Sequence, residues 1–272
     1  MSTKIAWPVP EPELPEGVHD ALAAAARAAS AAYAAARRRF TRDELAEEIA
    51  DGADGTPTMR VDQLVEDAIA GAAAQSRVNL LSEEAGFVDN GSAVTLVVDP
   101  MDGSANAAAG VPLCCFGGVV AVDGRPTEAL TTWLDTGRAW HAVAGRPVRY
   151  RTSGRTRVKG AAVSMLRPKP ASADAWWRVE QTAGRVRILS STVLEAALVA
   201  EGSTDAFCDP GSDTHRIVDL AAAMVTVPAA GGAVLDARGR PLEIDPDLRR
   251  RWSGVVAASL PLAEELAALV TG

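Results

Sequence analysis

Apolar positions recur at helical spacing through residues 61–75. Val61, Leu64, Val65, Ala68 and Ile69 form one stripe, which predicts a helix there. Residues 16–39 are rich in alanine and arginine, both strong helix formers, and predict a long helix. It ends in Arg37-Arg38-Arg39, cations that suit a helix C-terminus. Short apolar runs over 78–81, 94–98 and 116–122 predict strands. Asp123-Gly124 then offers a hairpin turn, and 129–133 and 139–143 continue a meander. In the second half the two patterns alternate. Strands are expected over 161–166, 186–189, 204–208, 233–236 and 254–258, and helices over 173–183, 191–201, 216–227 and 260–270. Helices interleaved with short strands predict layered sheets. Residues 51–58, Asp-Gly-Ala-Asp-Gly-Thr-Pro-Thr, read as a loop. The proline-rich residues 1–15 read as a loose arm before one domain over 16–272, with sub-regions near 16–150 and 151–272.

Composition narrows the classes. A chain of 272 residues with 48% hydrophobic content can bury a sizeable core, which excludes general disorder. Twenty-seven basic against 35 acidic residues leave a charge of −8, which argues against a nucleic-acid partner. Three cysteines, Cys114, Cys115 and Cys208, are too few for a disulfide scaffold. The adjacent pair would face opposite sides of a strand, and buried reduced thiols are expected. The first residues show no targeting signal and no apolar run suits a membrane span. A cytoplasmic protein without a membrane partner is therefore expected.

The acids carry the chemistry. The run over 94–98 ends in Asp99-Pro100-Met101-Asp102. Proline cannot donate to a ladder, so the strand is expected to stop at Pro100. Asp99 and Asp102 could then converge on one point. Gly103-Ser104-Ala105-Asn106-Ala107 reads as a helix start, whose free N–H groups suit an anion. Converging carboxylates beside an anion cradle suit a divalent metal that also binds phosphate. A turn capped by a single Asp is the alternative. Glu83 and Glu84 follow the strand over 78–81. Neighbours on a strand face opposite ways, so only one can enter a given site. Asp62 sits at the edge of a buried stripe, and Asp219 lies in Ile217–Val225, apolar on every side. Each needs a metal or an arginine as partner. Other chemistries lack their parts. There is no Gly-x-Ser-x-Gly elbow and no phosphate-binding P-loop, and His19, His141 and His215 lack zinc spacing. The loop at Asp51 has no acids at its third and fifth positions and is not a calcium loop.

Taken in order and spacing, Asp62, Glu83-Glu84, the run from Asp99 to Ser104, and Asp219 with Ala230-Gly231-Gly232 resemble the inositol monophosphatase-like family of Mg²⁺-dependent, lithium-sensitive phosphatases. Gly52–Thr58 and Arg216-Ile217-Val218-Asp219 are similar to its archaeal-type inositol monophosphatase/fructose-1,6-bisphosphatase branch. The resemblance implies an α+β fold, an αβαβα five-layer sandwich, and a homodimer. It implies two or three Mg²⁺ ions held by Glu83, Asp99, Asp102, Asp219 and the Met101 carbonyl. Gly103 and Ser104 would bind phosphate through backbone N–H groups, Glu83 and the Ser104 hydroxyl would orient the attacking water, and Asp62 would assist that water or a third, weaker metal. Asp102, Asp209 and Arg216 would contact substrate, with Arg167 and Arg187 as further candidates for a second phosphate. Direct attack by water, without a phosphoenzyme, is the implied reaction on an inositol, sugar or cyclitol phosphate. Fructose 1,6-bisphosphate, histidinol phosphate and a nucleotide-derived phosphate are alternatives, as is a catalytically silent binding protein. The chain departs from the family pattern at Ser104, usually Thr, at Val218, usually aromatic, and in lacking a basic residue around 51–54.

Overall fold

The computed structural model describes residues 2–272. The first half runs α1 (Asp20–Arg39), a single turn α2 (Arg42–Leu45), the hairpin β1 (Glu48–Asp51) and β2 (Pro57–Met59), and α3 (Arg60–Gln75). Strands β3 (Asn79–Ser82), β4 (Gly86–Val88) and β5 (Val94–Asp102), the short helix α4 (Ser104–Ala109), and strands β6 (Cys115–Val122), β7 (Arg125–Trp133) and β8 (Ala139–Val143) follow. The second half runs β9 (Ala162–Met165), α5 (Ala173–Thr182), β10 (Arg185–Arg187), α6 (Thr192–Ala200), β11 (Ala206–Cys208), α7 (Ile217–Ala229), β12 (Ala233–Asp236), β13 (Gly254–Ala257) and α8 (Leu260–Thr271). A six-stranded sheet has the order β4-β3-β5-β6-β7-β8 and a five-stranded sheet the order β10-β9-β11-β13-β12.

Side-chain alternation along the strands stacks these parts into five layers. Leu96 and Val98 of β5 pack on Leu22 of α1 and Val61 of α3, whereas Val97 packs on Val193 of α6 and Ala221 of α7. In the second sheet Phe207 and Val256 face Ala196 of α6 and Ala223 of α7, while Cys208 and Val255 face Leu262 and Leu266 of α8. The expected αβαβα sandwich results, with α6 and α7 as its middle layer. That position explains why α7 is apolar on every side. Cys114 and Cys115 enter opposite cores, and all three cysteines are free and buried. Among the described residues no helix is long and apolar enough to cross a membrane.

Four local expectations change. The long helix begins at Asp20, where the His19 side chain accepts from Ala21 N. Residues 51–58 are not only loop, since β1 and β2 pair across them. The strand over 94–98 does not stop at Pro100. β5 continues to Asp102 through a register shift between Asp99 and Asp102, and the missing proline N–H falls in that irregularity. The N-terminal arm has no helix or strand, yet it is docked: Ile5 is buried, Arg37 donates to the Trp7 carbonyl at 2.5 Å, and Glu13 N to the Gly137 carbonyl at 2.7 Å.

Glu195 lies fully buried in the middle layer. One of its oxygens accepts from Ser191 N at 3.2 Å, and the other has no partner among the described residues. Burial pushes this carboxyl from 4.5 up to about 8. The folded state thus keeps a proton that the unfolded chain releases. Its contribution is full below pH 4.5 and is lost as pH rises through about 8. Glu195→Gln removes this titration. In urea unfolding it should nearly match the parent at pH 5 and exceed it at pH 9, by about 4 kcal/mol. A constant difference across that range would refute the assignment.

Candidate functional site

Asp62 and Asp219 occupy the same local position in two helices, the third residue of the first turn. Asp62 Oδ2 accepts from Met59 N at 3.2 Å, and Asp219 Oδ2 from Arg216 N at 2.7 Å. A carboxylate there closes the helix start and complements its positive end. The helices α3 and α7 therefore hold these acids in place. Asp62 Oδ1 stays buried with no partner among the described residues. The β5 irregularity sets Asp99, 3% exposed, with its Oδ1 equally unpartnered. Beside it, the turn after β3 divides its two acids as strand alternation requires: Glu84 accepts from the Thr58 hydroxyl and Glu83 turns inward.

Glu83, Asp99 and Asp219 each place one carboxylate oxygen so that all three lie within 4.8 Å of one another. Burial, with Asp102 and Glu83 as like charges nearby, pushes Asp99 well above the ordinary carboxylate range. Burial also pushes Glu83 up to about 8, against the pull of Arg216, and Asp62 up to about 7. The counter-charge is Arg216. Its guanidinium donates to Glu83, to Asp219 Oδ1 at 3.0 Å and to Asp54 Oδ2 at 3.0 Å. The two partners left open for Asp219 are thus both represented: an arginine pairs with it, and other acids converge on it. Three hard oxygen donors this close, with orphan oxygens on Asp99 and Asp62, fit a divalent cation such as Mg²⁺.

The remaining expected residues fall in different places. Met101 is buried, and its carbonyl accepts from Ser104 Oγ at 3.0 Å, which sets that hydroxyl beside Asp62. Gly103 opens α4 at φ 86°, and a Cβ there would lie 2.6 Å from the Leu113 carbonyl, so only glycine fits. Asp102 lies near enough to Asp99 and Asp219 to act as a like charge, but it is held from the other side. Its carboxylate takes Ser191 Oγ at 2.6 Å, Val193 N at 2.8 Å and Thr192 N at 3.0 Å, because the N-terminus of α6 presents several unpaired donors. Asp209 is bound by its own loop. It is fully buried and accepts from Ser212 N at 2.7 Å, Ser212 Oγ at 2.6 Å and Thr214 N at 2.9 Å. Neither Arg167 nor Arg187 makes a side-chain hydrogen bond to the cluster among the described residues, whereas Arg216 sits at its centre.

Three participants escaped the sequence reading. Asp54, at the tip of the β1–β2 hairpin, holds Arg216 and Arg251 at 3.0 Å each. Arg251 comes from the chain before β13 and carries no local signal. Glu66 lies one turn after Asp62 on α3, only 2% exposed, and accepts from the Ser82 hydroxyl behind Glu83. Its i,i+4 spacing from Asp62 was the available signal.

Comparison with known proteins agrees with this geometry. Residues 18–271 match the Inositol monophosphatase family. A Thermococcus kodakarensis protein named fructose-1,6-bisphosphatase/inositol-1-monophosphatase is 32% identical over 212 residues, 75% of this chain and 79% of its own. A protein of the same name from Methanothermobacter thermautotrophicus is 32% identical over 249 residues, 82% of this chain and 87% of its own. A solved inositol monophosphatase-fructose 1,6 bisphosphatase has a TM-score of 0.75 at 26% identity, over 84% of this chain and 92% of that one. Fold, acid cluster and similarity define a metal-dependent hydrolase of phosphoric monoesters. The chain belongs to the inositol monophosphatase family.

Proposed function

We propose that this phosphatase uses Mg²⁺ to hydrolyse an inositol, sugar or cyclitol monophosphate by direct attack of water. The observation that carries the reading is the set of three carboxylate oxygens from Glu83, Asp99 and Asp219 within 4.8 Å of one another. These residues would hold the metal. Bound there, Mg²⁺ supplies charge neutralisation for the phosphate and an acidified water. The protein's own groups do the rest. Asp62, raised to about 7 with a free Oδ1, can take the proton of the attacking water near neutral pH. Ser104 orients that water through its hydroxyl, and the Gly103 and Ser104 N–H groups steady the phosphate. Asp102 acts from behind, by fixing the start of α6. With water as the nucleophile, no phosphoenzyme should accumulate.

A fructose-1,6-bisphosphatase is the second reading, favoured by the double name of the Thermococcus relative. The proposal extends to a cytoplasmic homodimer without nucleic-acid or membrane partners. The charge of −8 and the three buried free thiols support the location and the partner classes. Phosphate release from inositol phosphates, fructose 1,6-bisphosphate, histidinol phosphate and nucleotides, with Mg²⁺ or EDTA, tests the function. Release should require Mg²⁺ and vanish in Asp219→Asn. Release indifferent to EDTA would sink the reading, as would no release from any ester by a folded protein that binds Mg²⁺ in calorimetry.

A further inference from the structure

We propose that His215 is a positioning residue for the metal cluster: its ring joins the start of α6, which holds Asp102, to the start of α7, which holds Asp219. This rests on Glu83, Asp99 and Asp219 acting as the metal ligands. His215 directly precedes the cap of α7 and is buried. Its backbone is pinned to the chain before β13. His215 N donates to the Trp252 carbonyl at 3.1 Å, and Trp252 N to the His215 carbonyl at 2.9 Å. The next residue, Arg216, is the cap itself, and both its backbone N–H and its guanidinium reach Asp219.

Both ring nitrogens are used. Gly254 N, at the start of β13, donates to Nδ1 at 3.2 Å. Nδ1 is therefore an acceptor, and the neutral ring carries its proton on Nε2. That N–H faces the Thr192 hydroxyl at 3.3 Å. Burial holds the imidazole below its usual range, against the pull of Asp209, which favours this neutral form. Phe207 meets the ring edge-on, with centroids 5.5 Å apart. A Cβ on residue 254 would lie 2.7 Å from Leu220 Cδ2 and 3.1 Å from Nδ1, so the glycine permits this close approach. Thr192 opens α6, and its N–H donates to Asp102 Oδ1 at 3.0 Å. Contacts thus run from β13 through His215 and Thr192 to Asp102, while the chain runs from His215 through Arg216 to Asp219. Among the described residues, this is the one side-chain hydrogen bond between residues 191–200 and 215–229. The rest of that junction is apolar: Val193, Ala197, Leu220 and Ala221 share one core. Apolar burial is non-directional, so the hydrogen bond sets how the two helix starts stand to each other.

Calorimetric titration of the full chain with Mg²⁺ tests this without turnover. His215→Phe keeps a ring against Phe207 and loses both hydrogen bonds. It should weaken Mg²⁺ binding by about 10-fold, the low end of what losing an outer partner of a metal site costs. His215→Gln can set its amide N–H where Nε2 stands, and should bind Mg²⁺ near the parent's affinity. His215→Asn reaches only Gly254 and should resemble His215→Phe. Thr192→Val removes the same contact from the other side. It should match His215→Phe and add nothing to it in the double variant, and it carries the test if His215→Phe does not fold. In phosphate release, the Mg²⁺ concentration for half-maximal rate should rise in the same order, with kcat at saturating Mg²⁺ less affected. Mg²⁺ binding by the parent that His215→Phe and Thr192→Val leave unchanged overturns the inference alone. A loss that His215→Gln does not relieve also overturns it, because the ring would then serve packing. No Mg²⁺ binding by the parent overturns the metal reading itself, and the inference with it.

Discussion

Asp99→Asn is expected to lower Mg²⁺-dependent turnover of a phosphate monoester by about 10³-fold. Several kcal/mol of charge stabilisation from a bound metal ion correspond to that many powers of ten. The same change should raise the thermal midpoint of the protein in EDTA. Asp99 lies within a cluster of acids, has an orphan oxygen, and is pushed well above the ordinary carboxylate range by burial and by Asp102 and Glu83. Replacing it with a neutral amide relieves that repulsion when no cation is present. Added Mg²⁺ should stabilise the parent protein by mass action and the variant much less. Paired scanning calorimetry and phosphate release check both halves. A variant that stays active, or that melts lower in EDTA, would remove Asp99 from the centre of the cluster.

Removal of Arg216 should act with the opposite sign on stability. In Arg216→Met, Glu83, Asp219 and Asp54 lose the guanidinium that joins them. Breaking one side of a buried ion network costs about 3–5 kcal/mol because charges are left uncompensated. Urea unfolding in EDTA should show a loss of that size. Saturating MgCl₂ should recover much of it, since a divalent cation compensates the same carboxylates. A loss of equal size with and without Mg²⁺ would mean that Arg216 serves packing alone.

Several parts of this site were legible before any fold was known. Asp219 stood out as an acid in a helix apolar on every side, and Asp62 as an acid at the edge of an apolar stripe. Both have the same geometric basis, the 3.6-residue period, and the structure puts both at helix starts. That only one of Glu83 and Glu84 enters the site followed from strand alternation, and the structure sends Glu83 inward and Glu84 to Thr58. Asp209 could also have been read locally. Asp-Pro-Gly-Ser is a turn signal, and the carboxylate does close that turn on Ser212. Asp102 could not. Its donors come from residues 191–193, about ninety positions away, and nothing near Asp102 announces them. The β1–β2 hairpin was missed because every residue of β1 is exposed, so no alternation marks it.

The chain by itself determined its elements, its layering and its most informative acids, because periodicity, turn residues and local charge act over a few positions. The tertiary structure alone decided which acids meet and which cation answers them. Arg216 reaches Glu83 across 133 positions and Asp54 across 162, and Arg251 reaches Asp54 across 197. These encounters bring the start of α7 to the turn after β3 and to the tip of the β1–β2 hairpin. That arrangement is set by burial of the two sheets against the middle helical layer, a many-body effect that no short stretch of sequence contains.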